Sequence, residues 1–284
     1  MLNVLNAIEL STDYLKKKGV KSSRLNAELL LSDILSCKRL DLYLKFDQPL
    51  NEEEKTKYRE SIKRRGKREP LQYIIGKVEF YGLEFLVNKN VLIPRSETEI
   101  LIETILGSIP KDKELYILDI GTGSGNIPIT LSLNLPNAKI SSIDKNNESI
   151  NVAELNATKH NLNGNVNLIN IDFYDFIKTN KNKFDIIVSN PPYVSQNDFN
   201  ELEPELKEYE PQEALTDFSD GYKFYKDILL NINSLLKEKG KLFFEIGLGQ
   251  SNEIKKMMID AGLANIKTIN DLQGIERVIF GVLN

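Results

Sequence analysis

Asn190, Pro191, Pro192 and Tyr193 follow directly on the apolar run Phe184-Asp185-Ile186-Ile187-Val188-Ser189, and this quartet carries the most specific chemistry in the chain. The run is short, rich in β-branched residues, and reads as a buried strand of a parallel sheet covered on both faces. Two successive prolines end it, because neither has an N–H for a sheet ladder and each bars helix from the residue before it. The carbonyls at the turn are left free. The Asn190 side-chain oxygen and the Pro191 carbonyl can then project together from the carboxyl end of a strand, where open α/β sheets bind ligands. Two adjacent acceptors suit an –NH2 group, and Tyr193 adds a flat wall with a polar tip that can stack on a planar amide or base. Taken alone, the quartet is equally a strand-ending turn, since Asn and Pro are common turn formers. Its neighbours decide.

The second feature is a glycine loop, Gly121-Thr122-Gly123-Ser124-Gly125, preceded by Asp119-Ile120 and opening a helix with Pro128 in its first turn. Glycines let a backbone turn tightly and approach a ligand, and free N–H groups at a helix N-terminus favour a carboxylate or phosphate. The spacing is G-x-G-x-G, not the dinucleotide fingerprint G-x-G-x-x-G. Asp144 ends the next strand, 23 residues after Gly121, and is placed to accept from ribose hydroxyls. Asp172 and Phe173, ending the third strand, can take an adenine amino group and cover its ring. Either aspartate alone could be a helix cap or turn residue; their common place at strand ends beside a glycine loop points to a nucleotide-like ligand.

The elements that must position these residues alternate from Glu114 onward. Strands are predicted over 115–120, 139–143, 166–171, 184–189 and 241–246, and helices near 127–135, 148–160, 222–237 and 253–261. Two further strand-like runs, 265–270 and 277–283, are joined only by the turn Asp271-Leu272-Gln273-Gly274, so they pair antiparallel. The pattern is a doubly wound α/β sheet closed by an edge hairpin. Residues 2 to 75 read instead as helices. Asn3 can cap a first that ends at Gly19, Ser22 or Ser23 a second, and Asn51 with Glu54 forms a capping box for one that stops near Gly66, after a short segment around Leu40–Phe46. Between the two regions, Val78, Phe80, Leu83, Phe85 and Val87 alternate around Tyr81-Gly82 as a hairpin. The expected organisation is a helical bundle at 1–75, a hairpin linker at 76–96 and a catalytic domain at 97–284.

At 284 residues and 41% hydrophobic content the chain has ample core. No stretch approaches the roughly 20 apolar residues of a membrane span, and the N-terminus lacks a signal pattern. One cysteine, Cys37, excludes an intrachain disulfide, so a cytoplasmic location is expected. One histidine, His160, removes the usual metal sets and Ser-His-Asp machinery; it reads as structural, and no metal is expected. Charge is uneven: residues 1–72 hold 16 Lys and Arg against 11 Asp and Glu, the rest 21 against 30. An acidic catalytic half argues against nucleic acid, whose phosphates bind mainly to Lys and Arg. The run Lys63-Arg64-Arg65-Gly66-Lys67-Arg68 is the contrary sign, although such runs are commonly solvated helix ends.

With these pieces in order, the chain resembles the protein-(glutamine-N5) methyltransferase family, most closely its release factor glutamine N5-methyltransferases. The supporting residues are Phe80-Tyr81-Gly82, Val91 to Arg95 with Glu97-Thr98-Glu99, Asp119 to Gly125, Asn190 to Tyr193, Glu210-Pro211 with Ala214-Leu215, Asp220-Gly221, and Glu245-Ile246-Gly247 with Gln250. The quartet alone is shared with nucleic-acid amino methyltransferases; joined to the N-terminal bundle it is specific. Ser96 stands where that family usually has proline.

The resemblance implies a class I S-adenosylmethionine-dependent methyltransferase, Rossmann-like, with a seven-stranded sheet and an N-terminal bundle that docks the substrate. It implies S-adenosyl-L-methionine as cofactor, with Gly121, Thr122, Gly123, Ser124 and Gly125 at its methionine part, Asp144 at its ribose, Asp172 and Phe173 at its adenine, and Asn190 facing its sulfonium. Asn190, Pro191, Pro192 and Tyr193 would form the catalytic and substrate pocket for the glutamine of the Gly-Gly-Gln motif in class I peptide chain release factors. The alternatives are a ribosomal-protein glutamine methyltransferase, an exocyclic-amino methyltransferase of a nucleic acid, and a binding module that has kept only the fold.

Overall fold

The computed structural model describes residues 2–110, 112–162 and 164–284. The chain forms two compact units, one of residues 1–77 with 203–209, the other of residues 78–202 with 210–284.

The first unit is helical, with helices Val4–Lys17, Ser23–Ile34, Glu52–Gly66 and Leu71–Ile75 and a 3-10 turn Arg39–Leu44. Asn3 caps the first through the Asn6 N–H, and the capping box of Asn51 and Glu54 is made in both directions. Ser22 stands at the second N-cap in left-handed conformation and makes no side-chain cap; the Ser23 hydroxyl donates to Val20 O instead. The core is Val4, Ile8, Leu15, Leu30, Leu31 and Leu42, closed by Tyr58, whose buried hydroxyl donates to Ala27 O at 3.0 Å. The basic run is largely spent on ion pairs within this unit. Arg64 pairs with Glu69, and Arg65 and Arg68 both grip Glu205 of the 203–209 segment, Arg65 being itself buried. Burial works to raise the Glu205 pKa, and the two guanidiniums more than offset it. Lys21 pairs with Glu203 in the same segment.

The second unit opens with the expected hairpin, β1 Lys77–Phe80 and β2 Leu83–Leu86. Tyr81 and Gly82 both have positive φ, 52° and 70°, as a two-residue primed turn requires. Seven more strands follow: β3 Tyr116–Ile120, β4 Lys139–Asp144, β5 Val166–Asn170, β6 Phe184–Ser189, β7 Leu236–Glu245, β8 Leu263–Asn270 and β9 Glu276–Leu283. They form one sheet in the order β5-β4-β3-β6-β7-β9-β8, parallel except that β9 runs antiparallel to both neighbours. Alternate strand residues feed two cores. Ile117, Ile186 and Phe243 pack with Leu101, Ile102 and Leu131 on one face; Leu118, Ile187 and Phe244 pack with Tyr225, Ile228 and Met258 on the other.

Three differences from the sequence reading have physical causes. The helix expected over 222–237 is two short ones, Lys223–Leu230 and Ile232–Leu235, because β7 begins at Leu236, paired with Phe184, and runs through an irregularity with Lys239 at φ 60°. A helix at Ser96–Ser108 was not anticipated, although its buried residues Thr98, Leu101, Ile102 and Ile105 keep helical spacing. Short helices at Phe173–Thr179, Gln196–Glu201, Pro204–Tyr209 and Gln212–Leu215 lie in stretches for which the sequence pattern predicts no element. His160 is the residue after a helix, with its ring against Phe85 at 5.2 Å and Nε2 at 3.0 Å from Glu84 O.

Candidate active site

A cleft lies at the carboxyl ends of β3, β4, β5 and β6, lined by Gly121, Thr122, Gly123, Ser124, Asp144, Asp172, Phe173, Asn190, Pro191 and Pro192. Ten of the twelve sequence-assigned residues therefore share one cavity. Gly125 and Tyr193 do not line it.

At the loop end, conformation is fixed by the loop's own bonds. The Gly121 and Thr122 N–H groups donate to Ile143 O, that of Gly123 to Asp144 Oδ2 at 3.0 Å, and that of Gly125 to Thr122 O. The expected cradle of free N–H groups is thus mostly occupied. What the loop offers a ligand is room: Gly121 and Gly123 hold φ of 90° and 53°, and a Cβ on either would enter open space. Gly125 serves packing, since a Cβ there would come within 3.1 Å of the Ala153 Cβ. Thr122 and Ser124 are buried posts. Thr122 Oγ1 bonds Ser142 Oγ, and Ser142 donates to Asp119. Asp144 accepts from Gly123 N and Asn146 N; burial raises its pKa against these two bonds. Asp172 also caps the helix it begins, accepting from Tyr174 N at 2.8 Å, so its cap role and its place in the cleft coexist.

Asp119 was not singled out as a site residue. It is fully buried at the end of β3, its Oδ1 has no hydrogen-bond partner among the described residues, and burial lifts its pKa to about 7 against the Ser142 bond. Asp119 is not itself among the residues that line the cleft; its orphaned oxygen, two residues before the glycine loop, is an unused acceptor of the kind that suits an amino group such as that of the methionine portion of S-adenosylmethionine.

At the opposite end, hydrogen bonds tie distant motifs together. Asn190 Nδ2 donates to Thr98 Oγ1 at 3.3 Å, which leaves Oδ1 as the acceptor on this side chain. Tyr193 departs from its expected place: its ring packs against the core under the sheet, and its hydroxyl donates to Glu245 Oε1 at 3.4 Å. The Pro191-Pro192 turn carries the chain past the cleft before the Tyr193 ring is reached. Gln250 clamps the turn, donating through Nε2 to Tyr193 O and Gly221 O while Oε1 accepts from Gly247 N. Gly221 must be glycine twice over, since φ is 82° and a Cβ would stand 2.5 Å from Tyr193 O.

The same logic holds the near wall. Glu210, buried, accepts from Arg95 Nη2 at 2.5 Å and from Ile93 N at 3.2 Å; burial raises its pKa against the Arg95 charge. Glu99 accepts from Tyr81 N at the hairpin turn. Ser96 occupies the first position of the Ser96–Ser108 helix, a place that accepts proline or serine alike, so the departure leaves the helix start intact. Glu245 is the second acid not singled out for a role: it is buried, its Oε2 lacks a partner among the described residues, and desolvation lifts its pKa to about 7 while the Thr98 and Tyr193 hydroxyls pull it back. A carboxylate inside an apolar strand, as in Leu242-Phe243-Phe244-Glu245 or Ile117-Leu118-Asp119, is the signal that could have flagged both.

Among the described residues no group of three or more His, Cys, Asp or Glu is arranged to hold a metal ion, and no helix is long and apolar enough to cross a membrane. Residues 111–265 match the family described as methyltransferase domain, and a methyltransferase from Pyrococcus furiosus superposes with a TM-score of 0.52 at 19% identity, over 72% of this chain and 90% of that one. The fold is that of a class I methyltransferase. Residues 6–76 match the PrmC N-terminal domain. The release factor glutamine methyltransferase of Fusobacterium nucleatum is 41% identical over 97% of this chain and 77% of its own length, and that of Geobacter sulfurreducens 40% identical over 98% and 96%. The chain belongs to the release factor glutamine methyltransferase family.

Proposed function

We propose that the enzyme transfers a methyl group from S-adenosyl-L-methionine to the side-chain amide nitrogen, N5, of the glutamine in the Gly-Gly-Gln motif of class I peptide chain release factors. The observation that carries this reading is the Asn190 amide. Its nitrogen is committed to Thr98, its oxygen is left to accept, and it shares one cleft with the Gly121–Gly125 loop. When bound, the cofactor supplies a methyl group on a positively charged sulfur, already strongly electrophilic. Gly121 to Ser124 would flank its methionine part, Asp144 its ribose, and Asp172 and Phe173 its adenine.

A carboxamide nitrogen is a poor nucleophile because its lone pair is delocalised into the carbonyl. Asn190 Oδ1 and the Pro191 carbonyl accept the two N–H bonds of the substrate amide and aim its nitrogen along the line of transfer. They also stabilise positive charge developing on that nitrogen, so catalysis rests on orientation and preorganised dipoles. The proton leaves after the N–C bond has formed, when the nitrogen is acidic, and a strong base is not required. Pro192 walls the pocket, and Tyr193 supports it from beneath.

The helical unit docks the protein substrate in this reading. It carries 18 Lys and Arg against 14 Asp and Glu, while the catalytic unit is acidic, and a tripeptide pocket alone buries too little surface to choose one protein among many. Nucleic acid is disfavoured further by the ion pairs that consume Arg64, Arg65 and Arg68. The deciding experiment offers labelled S-adenosylmethionine with purified release factor and, in parallel, with ribosomal proteins, and maps the label by peptide mass. Label on the Gly-Gly-Gln glutamine is expected; label confined to a ribosomal protein would overturn the assignment.

A further inference from the structure

An asparagine side chain is nearly symmetric in shape and opposite in chemistry at its two tips, so its orientation is set entirely by its neighbours. Flipped, Asn190 would present its NH2 to a substrate NH2, donor against donor. The neighbour that decides is Thr98, buried on the helix Ser96–Ser108, whose Oγ1 accepts from Asn190 Nδ2 at 3.3 Å. A hydroxyl has one proton. For Thr98 to accept from Asn190, that proton must go elsewhere; the buried carboxyl of Glu245 takes the Tyr193 hydroxyl, and the Thr98 hydroxyl lowers its pKa in the sense a donor would. A carboxyl keeps an acceptor oxygen in either protonation state. The Tyr193 end of the turn leans on this acid through its hydroxyl, and the Asn190 end meets Thr98.

We propose that Thr98 is a positioning residue for the methyl acceptor: by accepting from Nδ2, its Oγ1 locks the Asn190 amide with Oδ1 toward the cleft. The proposal rests on reading the cleft as a glutamine-methylating site. It gives a use to a buried hydroxyl on a helix whose other buried residues are Leu101, Ile102 and Ile105.

The test is a double-mutant cycle on the full chain. Thr98→Val keeps the shape and removes the hydroxyl; Thr98→Ser restores it. In the otherwise native enzyme T98V should lower kcat roughly ten- to hundred-fold, the range expected when a buried hydrogen bond loses one partner. KM for the release factor and Kd for cofactor should stay within about threefold, and T98S should stay near the native rate. In an Asn190→Ala background T98V should cost nothing further, because the side chain it orients is gone. A native kcat in T98V, or an equal loss in both backgrounds, would overturn the proposal. A second arm needs no substrate: hydrogen exchange of the Asn190 side-chain NH2, followed by 15N NMR, should accelerate in T98V and not in T98S, and unchanged exchange would also overturn it. If the native enzyme left the release factor unmodified, the substrate assignment would fall while this second arm still judged Thr98.

Discussion

The two ends of the cleft are built by different means. The loop end is made of residues close in sequence, its shape fixed by the N–H groups of Gly121 and Thr122 donating to Ile143 O and that of Gly123 to the Asp144 carboxylate, at the end of the next strand. The amide end is made of side chains from far apart: Asn190 to Thr98 across 92 positions, Tyr193 to Glu245 across 52, Gln250 to Tyr193 across 57. A ligand that only has to be held is served by the backbone. A nitrogen that has to be aimed needs several elements to agree on one geometry, and damage at this end should appear in rate before affinity.

Asn190→Ala tests that division most severely. Loss of one preorganised group in a closed site costs on the order of 10²–10³ in kcat, with cofactor affinity changed much less. Single-turnover methyl transfer and separate cofactor titration would measure both, and near-native transfer at saturating cofactor would break the comparison. Next in size is the pH dependence of the loop end. The folded-state pKa of Asp119 is raised from 3.8 to about 7 by burial, so the folded protein holds a proton that the unfolded chain releases between these values. Stability must therefore fall as pH rises from about 4 to about 7, by up to about 4 kcal/mol from this group. Urea midpoints of ligand-free enzyme from pH 5 to pH 8 should show the decline, and Asp119→Asn should remove part of it, Glu245 contributing the rest with the same sign. Parallel profiles for the two proteins would remove Asp119 from the account.

Asp144→Ala should weaken cofactor binding roughly tenfold, the worth of about one lost charge-assisted hydrogen bond, and leave transfer at saturating cofactor less affected. Calorimetry decides it, and unchanged affinity would mean that the loop end does not depend on this acid. The smallest effect is expected at the helix carrying Thr98. Arg95 is extended, φ −104° and ψ 147°, which suits a following proline, so Ser96→Pro should stabilise by about 0.4–1 kcal/mol with activity unchanged. A lower melting temperature would show that the Ser96 hydroxyl, which donates to Glu97, matters to the helix start.

The same division explains what could be read from the sequence. The sheet, its terminal hairpin, the Tyr81-Gly82 turn and the loop with Asp144 are local patterns of period, turn residue and spacing, and they were legible. The quartet was recognisable too, but not the turning inward of Tyr193, which depends on Glu245 and Gln250. Those residues were visible only as recurring letters, because a single sequence records which side chains exist and not which of them meet. Helices of four to seven residues, such as Phe173–Thr179 and Gln212–Leu215, are too short for periodicity to register. The N–H groups of the loop were assigned to a ligand because nothing in the sequence shows that Asp144 and Ile143 O reach them first.

The seven residues Glu203–Tyr209 have a practical consequence. Because they belong to the helical unit while both their flanks belong to the catalytic one, no single cut divides this chain into two self-sufficient pieces. Removing everything before Val78 would take away Lys21, Arg65 and Arg68 and leave Glu203 and Glu205 on a loop with nothing to hold it. Expressing residues 1–77 alone would strand Arg65, only 7% exposed, without its acid, and an unpaired buried charge is among the costlier defects a fold can carry. Dissection by truncation would therefore confound docking with folding. Charge exchange at exposed positions of the intact chain, for example Lys63 and Lys67 on the rim of the same helix, is the cleaner way to ask what the helical unit recognises.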